Sequence, residues 1–119
     1  MKKSEMKYEF VVQPVFKNNK CVSLGIIKAL KDFGDVKKGD IGGGIESFLN
    51  LSQFGDCWVY PDGKIYGDSI ATDNAKIYGS IHGTVSAIGN AVVPKYVDIS
   101  SDNKILIIKS NDNNETVIG

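Results

Sequence analysis

The 119-residue sequence contains no arginine, one histidine, one tryptophan and two cysteines. Arginine makes the commonest bidentate contact with guanine, so its absence argues against sequence-specific nucleic-acid reading. No stretch approaches the roughly 20 apolar residues of a membrane helix, and the first residues lack the apolar region of a secretory signal. Cys21 and Cys57 cannot form a disulfide framework or a zinc ribbon. We therefore expect one soluble domain in the cytoplasm, with no membrane partner.

The charges balance overall but are unevenly placed along the chain. All 14 basic residues are lysine, against 14 acidic residues. Residues 1–40 carry nine lysines and five acids, whereas residues 41–119 carry five lysines and nine acids. An acidic half can attract a basic partner surface and repel nucleic acid. The plainer alternative is a solvated surface that confers solubility.

The first third of the chain favours short antiparallel strands. Residues 8–12 are rich in strand formers, and the polar turn 17–20 separates two further apolar runs, which predicts a β-hairpin. Residues 27–33 fit either a short helix or a strand, and the flanking glycines favour the strand. Eleven of the 13 glycines fall from Gly34 to Gly89, as expected for many tight corners.

A six-residue period runs through the second half of the sequence. In hexads that begin at residues 55, 61, 67 and 73, the third position is small and the fifth is apolar. The period extends back to Leu51 and Ile45 and slips at residues 79–82. It resumes at Gly83, so that Val97 falls on a third position and Ile99 and Ile105 fall on fifth positions. The third and fifth residues of the four regular hexads are Cys57 and Val59, Gly63 and Ile65, Ser69 and Ala71, and Ala75 and Ile77.

This period predicts a parallel β-solenoid. Two residues of each short strand point inward with one outward residue between them, and the other three turn a corner. Stacked coils bury the inward residues in columns, which one coil cannot do alone. The fold class is therefore all-β: a short parallel β-helix of about three coils with an N-terminal β-hairpin cap. The predicted regions are a cap and lead-in over 1–40, repeats over 41–107 and a polar tail over 108–119.

On these small-x-branched pairs the chain resembles hexapeptide-repeat proteins, whose family fold is a left-handed β-helix with 18-residue coils. The stretch from Ala29 to Gly43, continued through Asn50–Ser52 to Cys57–Tyr60, is similar to uncharacterised β-helix proteins encoded by phages and prophages. Many hexapeptide-repeat proteins are trimeric acyltransferases that use a histidine as a general base. The resemblance therefore implies a possible role for His82, the single histidine, beside the slip in the period. The alternative is an ordinary surface or packing histidine.

No other catalytic or cofactor motif is present. The run Gly42–Gly44 does not extend to a dinucleotide fingerprint, and no phosphate-binding loop, serine-hydrolase or zinc-protease motif occurs. Asp56, Asp62 and Asp68 are six residues apart, which places them on different corners and argues against a metal site. We therefore expect no catalytic residue, no metal and no cofactor.

Outward aromatic side chains favour binding instead. A spacing of 18 residues predicts Tyr60 over Tyr78 and Trp58 over Lys76, with an outward-facing indole. Exposed aromatic clusters are typical of interfaces, although the same residues could instead pack under the N-terminal hairpin or join copies in a trimer. The predicted protein-binding residues are Trp58, Tyr60, Tyr66, Tyr78, Asp56, Asp62 and Asp68.

These observations, with the phage resemblance, lead to a specific expectation. The chain is expected to be a non-catalytic, phage-encoded β-solenoid that binds a host protein, in the manner of an anti-CRISPR inhibitor of a defence nuclease. Its partner would be another protein or two further copies of the chain. The alternatives are a minimal hexapeptide-repeat acyltransferase and a structural component of the phage virion or tail.

Overall fold

The structure, a computed structural model, describes residues 2–110 and 116–118, and within them the side chains of residues 2, 4–101 and 107–109. These residues form thirteen strands and two short 3-10 helices, Lys3–Glu5 and Phe48–Asn50, with no α-helix in the described part of the chain. None of the described helices is long and apolar enough to cross a membrane. The strands are β1 (Tyr8–Val12), β2 (Val15–Lys17), β3 (Lys20–Ser23), β4 (Gly25–Ala29), β5 (Ile41–Ile45), β6 (Trp58–Val59), β7 (Lys64–Ile65), β8 (Ile70–Ala71), β9 (Lys76–Ile77), β10 (Ser80–Ala87), β11 (Val92–Val93), β12 (Asp98–Ser110) and β13 (Thr116–Ile118).

The strands from β5 onward stack as the predicted parallel β-solenoid of about three coils. Strands β5, β7, β10 and β12 are neighbours on one face, and β6, β9 and β11 are neighbours on another. The second half of the long strand β10 pairs with β8 on a third face. All of these pairings are parallel. The all-β solenoid expected from the six-residue period is thus confirmed.

The slip in the period changes the coil length without breaking the stack. Trp58 pairs with Lys76, one predicted coil of 18 residues later. Across the slip the spacing falls to 16 residues, and Lys64 pairs with Ser80. The two missing residues come from the start of the hexad, so Ile81 keeps the inward fifth slot. His82 consequently occupies the sixth position, in which three of the four regular hexads place a tyrosine: Tyr60, Tyr66 and Tyr78.

The inward columns form the core. The third- and fifth-position residues of the four regular hexads are buried, as are Ile45 and Leu51 further back. The expectation for Val97 is wrong, because it is 37% exposed. Its N–H donates to the carbonyl of Pro94, the same corner bond that the buried Gly63 and Ala75 make to Tyr60 and Thr72, so Val97 keeps the third position of its hexad and only its expected burial is wrong. Ile99 packs against the core, whereas the side chain of Ile105 lies outside the described part.

The N-terminal segment forms the predicted cap. Strand β4 pairs antiparallel with both β1 and β5, so the segment extends the solenoid face, and residues 25–29 form a strand and not a helix. The hairpin β2–β3 turns at Asn18 and Asn19, whose φ angles of 52° and 65° suit a primed turn.

The end of the core under the cap is closed by buried side chains. The Lys7 ammonium donates to the carbonyls of Cys57 at 2.7 Å and Gly55 at 3.2 Å. The Tyr8 hydroxyl donates to the carbonyl of Leu51 at 2.6 Å. A solenoid end otherwise leaves carbonyls and apolar side chains without partners, and this segment satisfies them.

The predicted boundaries at residues 40 and 107 remain predictions. Strand β5 begins at Ile41, and β12 continues to Ser110. In the predicted tail, β13 pairs antiparallel with β12, with Ile118 opposite Ile108. Residues 111–115 and 119 of that tail lie outside the described residues.

Candidate functional site

The prediction that the indole of Trp58 is exposed is wrong. Trp58 does point away from the solenoid core, but the N-terminal segment covers it and leaves it 1% exposed. Its ring meets Tyr8 and Phe33 edge-on, at centroid distances of 6.1 and 5.3 Å. The alternative that this aromatic residue packs under the cap is therefore correct, and Trp58 has no free surface in this structure.

The predicted stack of Tyr60 and Tyr78 is confirmed, with ring centroids 4.2 Å apart and planes 13° from parallel. The Tyr60 hydroxyl donates to a carboxylate oxygen of Asp35 at 2.6 Å. Burial, together with this hydrogen bond to an anion, raises the pKa of Tyr60, and the same bond lowers the pKa of Asp35. Lys76 also pairs with Asp35 at 3.6 Å. The stack is therefore tied to the loop before β5.

The predicted acidic residues Asp56, Asp62 and Asp68 are all exposed. No group of three potential metal ligands occurs among the described residues. Whether these carboxylates and the tyrosines contact a protein partner remains a prediction.

His82 is held on both sides by neighbouring coils. Its Nε2 lies 2.9 Å from a carboxylate oxygen of Asp98. Its ring stacks on Tyr66 with centroids 4.6 Å apart and planes 3° from parallel. The His82 side chain is 24% exposed and that of Asp98 is 66% exposed. An imidazole fixed in orientation but open to solvent is a suitable proton acceptor or donor.

Each of the two partners of His82 lines a different hollow. Tyr66 lines a hollow of about 250 Å³ beside the hairpin, which we call the hairpin groove. Asp98 lines a second hollow of about 300 Å³, the Asp98 hollow, whose wall also includes Ser80 and Tyr96. Lys64 borders both hollows. A ligand in either hollow would therefore lie against a side chain that contacts the imidazole.

The hairpin groove has two walls. Its lining consists of Cys21, Val22, Ser23, Leu24, Lys64 and Tyr66. The first four belong to the cap and the last two to the solenoid face, so folding of the cap creates the groove.

The sequence-based interpretation singled out His82 but missed Asp98 and Lys64. Asp98 pairs with Ser80, one coil later. Ser80 and His82 are two residues apart in one strand, so they point to the same side, and this places Asp98 diagonally across from the imidazole. An alignment that placed the two-residue deletion at the start of the shortened hexad, residues 79–82, would have predicted that Asp98 lies near His82.

Comparison with known proteins gives one curated relative. The chain is 38% identical, over 74 residues, to the uncharacterised acetyltransferase YdcK of Escherichia coli K12. The matched region covers 60% of this chain and 23% of the relative, so the chain spans only about a quarter of that protein. No family model matches the chain. The relative and the coil architecture together support a hexapeptide-repeat β-helix.

This relative contradicts the expected function. A non-catalytic inhibitor of a defence nuclease was expected, whereas the similar curated protein is named as an enzyme. The expectation that the chain is not an enzyme is wrong on the same finding. The inhibitor interpretation rested on resemblance, chain length and charge distribution alone, and none of these tests the chemistry of a site. The closeness to phage proteins and the virion alternative receive no support and remain predictions.

Proposed function

We propose that this solenoid is an acyltransferase in which His82 is the general base. The observation that carries the proposal is the half-buried imidazole, fixed between Asp98 and Tyr66, whose two partners each line a hollow. His82 itself lines neither hollow, but a substrate in each hollow would lie against one of its two partners, as suits a reaction between two substrates. The similarity to a protein named as an acetyltransferase supports the same class of reaction.

The hydrogen bond to Asp98 determines which nitrogen acts. When Nε2–H donates to the Asp98 carboxylate, Nδ1 carries the free lone pair. Nδ1 then takes the proton from an acceptor hydroxyl or amine as its oxygen or nitrogen attacks the carbonyl carbon of an acyl thioester. An ester or amide bond forms, the carbon–sulfur bond breaks, and the imidazolium returns the proton to the departing sulfur. The Asp98 carboxylate stabilises the imidazolium between these two transfers.

Oligomerisation remains part of this proposal. Hexapeptide-repeat β-helices often form trimers, and a self-trimer is compatible with the exposed outer faces of this chain. In such an assembly a neighbouring copy could close either hollow. The proposed chemistry at His82 requires only the contacts within one copy.

The test is thiol release from acetyl-coenzyme A in the presence of a panel of small hydroxyl and amine acceptors. We expect release that requires both the protein and one of the acceptors. General-base catalysis contributes about 10²–10⁴-fold, so His82→Ala should slow release at least about 100-fold. The exposed lysine substitution Lys37→Met is the matched control and should leave the rate unchanged. Undiminished release by His82→Ala, or no release with any acceptor, would overturn the proposal.

A further inference from the structure

The hairpin groove has the chemistry of an anion-binding site. Lys64 is the only charged residue among its lining side chains. It is exposed, and within the described part of the chain the structure gives its ammonium no ion pair. By contrast, the lining of the Asp98 hollow contains two lysines and two aspartates, so its charges balance.

The hairpin itself adds positive potential. Residues 10–31 contain four lysines and no acidic residue. Lys17 and Lys20 flank the turn between β2 and β3, whereas Lys28 in β4 lies opposite Glu9 of β1. Clustered lysines without acids raise the local concentration of anions beside a cleft. The groove therefore favours a negatively charged ligand, although the chain as a whole is neutral.

The rest of the groove is mainly apolar. Val22 and Leu24 come from the cap, and the ring of Tyr66 comes from the solenoid. Leu24 also borders a further hollow of about 410 Å³ over Gly42–Gly44, which Ile26 and Pro61 line as well. Gly44 has no side chain to fill that space, and a Cβ there would lie 3.1 Å from the Leu24 Cβ. An apolar group can thus extend from Lys64 along Leu24.

From these contacts we propose that the hairpin groove binds the acyl acceptor, a small molecule with an anionic group on Lys64 and an apolar part against Val22 and Leu24. The anionic group is a carboxylate or a phosphate. Tyr66 lines the groove and its ring lies flat against His82, which does not itself line the groove, so the acceptor's hydroxyl or amine has to extend past the edge of the Tyr66 ring to reach the imidazole. The naming of this ligand as the acceptor rests on the proposed function, whereas the binding of an apolar anion does not.

Binding is tested without turnover, by ¹H–¹⁵N NMR titration of the full chain. The probes are 4-methylpentanoate, its neutral amide, and 3-methylbutyl phosphate, which share an apolar end. We expect one or both anions to shift the amides of residues 21–24 and 64–66, with a millimolar dissociation constant typical of so small a ligand. We expect the neutral amide to bind about three- to fivefold more weakly, as suits a solvent-exposed ion pair. The stronger anion identifies the charged group.

The Lys64→Met variant should reduce anion affinity to that of the neutral amide, whereas Lys64→Arg should retain it. Lys37→Met, at an exposed lysine outside the groove, is the control and should bind as the wild type does. Equal binding of the anions and the amide, or anion binding that survives Lys64→Met, would overturn the proposal.

Cys21 provides a second measurement that needs no variant. It lines the groove, whereas Cys57 is buried and should be inert in the folded protein. We expect the bound anion to slow alkylation of Cys21 by iodoacetamide, and an unchanged rate at saturating probe would contradict its position in the groove. The His82→Ala variant should keep anion binding. Thus a wild type that binds no anion counts against the groove, while undiminished turnover in His82→Ala counts against the proposed function.

Discussion

Trp58 and His82 both project from the outer side of the solenoid, but their surroundings differ. Trp58 lies under the cap, 1% exposed, among Tyr8 and Phe33. His82 lies on the open face, where its ring stacks on Tyr66, lies beside Asp98 and remains 24% exposed. An outward side chain of the solenoid therefore contributes to stability where another segment covers it, and is available for chemistry where it stays open to solvent.

The two regions should respond differently to substitution. In the covered end, polar atoms are satisfied and side chains are tightly packed, so substitutions there should change the free energy of unfolding. On the open face, side chains make few contacts, so substitutions should change chemistry and binding with little effect on folding.

The largest expected effect is on the covered end. Trp58→Ala removes a buried ring and leaves a cavity, which should lower the free energy of unfolding by about 3–5 kcal/mol. Urea denaturation followed by circular dichroism measures this change. Tyr96→Ala removes an aromatic ring that is 91% exposed and should change the free energy by less than about 0.5 kcal/mol. A loss of under about 1 kcal/mol for Trp58→Ala would mean that the cap does not pack as described.

A smaller effect should appear at Tyr8. Tyr8→Phe removes the hydrogen bond to the Leu51 carbonyl and should cost about 1 kcal/mol at neutral pH. Burial raises the pKa of Tyr8 above its ordinary value of 10.0. Above pH 10 the unfolded chain therefore loses this proton while the folded chain keeps it, so the wild type loses stability as pH rises.

Tyr8→Phe lacks this loss, so its stability deficit should shrink by about 1 kcal/mol between pH 9.5 and pH 11. Denaturation curves at both pH values measure the change. Tyr96→Phe is the control and should follow the wild type. A deficit that stays constant or grows with pH would show that the Tyr8 hydroxyl ionises freely in the folded protein.

On the open face, the effect on stability should be smallest while the effect on turnover is large. Asp98→Asn should change the free energy of unfolding by less than about 0.5 kcal/mol, since the side chain is 66% exposed. The turnover number for acetyl transfer should nevertheless fall at least about tenfold with little change in KM, because the imidazolium loses its carboxylate.

Asp68→Asn is the matched control for this change. Asp68 is an exposed aspartate that lines neither of the two hollows beside His82, so its replacement should leave turnover as in the wild type. Equal turnover in Asp98→Asn and the wild type would exclude a role for the carboxylate in orienting or stabilising the imidazole.

The solenoid was predictable because its period repeats in the chain itself. Small and branched residues six apart, such as Gly63 and Ser69 or Val59 and Ile65, specify inward columns whatever the rest of the protein does. The hairpin was predictable for the same local reason, because its turn sequence allows the positive φ angles of Asn18 and Asn19.

The burial of Trp58 and the surroundings of His82 were not predictable in this way. Trp58 is covered by Tyr8 and Phe33, which lie 50 and 25 positions earlier, and no period connects these segments with it. The carboxylate beside His82 belongs to Asp98 because the shortened hexad lacks its first two positions. The six-residue spacing alone does not say which two positions are missing. Long-range packing therefore decided which outward side chains became part of the candidate site.

The single tryptophan and the single histidine allow the two regions to be compared in one experiment. In a ¹H NMR titration with acetyl-coenzyme A, the Hε1 resonance of His82 reports on the open face and the indole N–H resonance of Trp58 reports on the covered end. We expect the His82 resonance to move on binding while the Trp58 resonance stays in place. A titration that moves the Trp58 resonance, or that leaves the His82 resonance unmoved at saturation, would contradict the assignment of the chemistry to the His82 face.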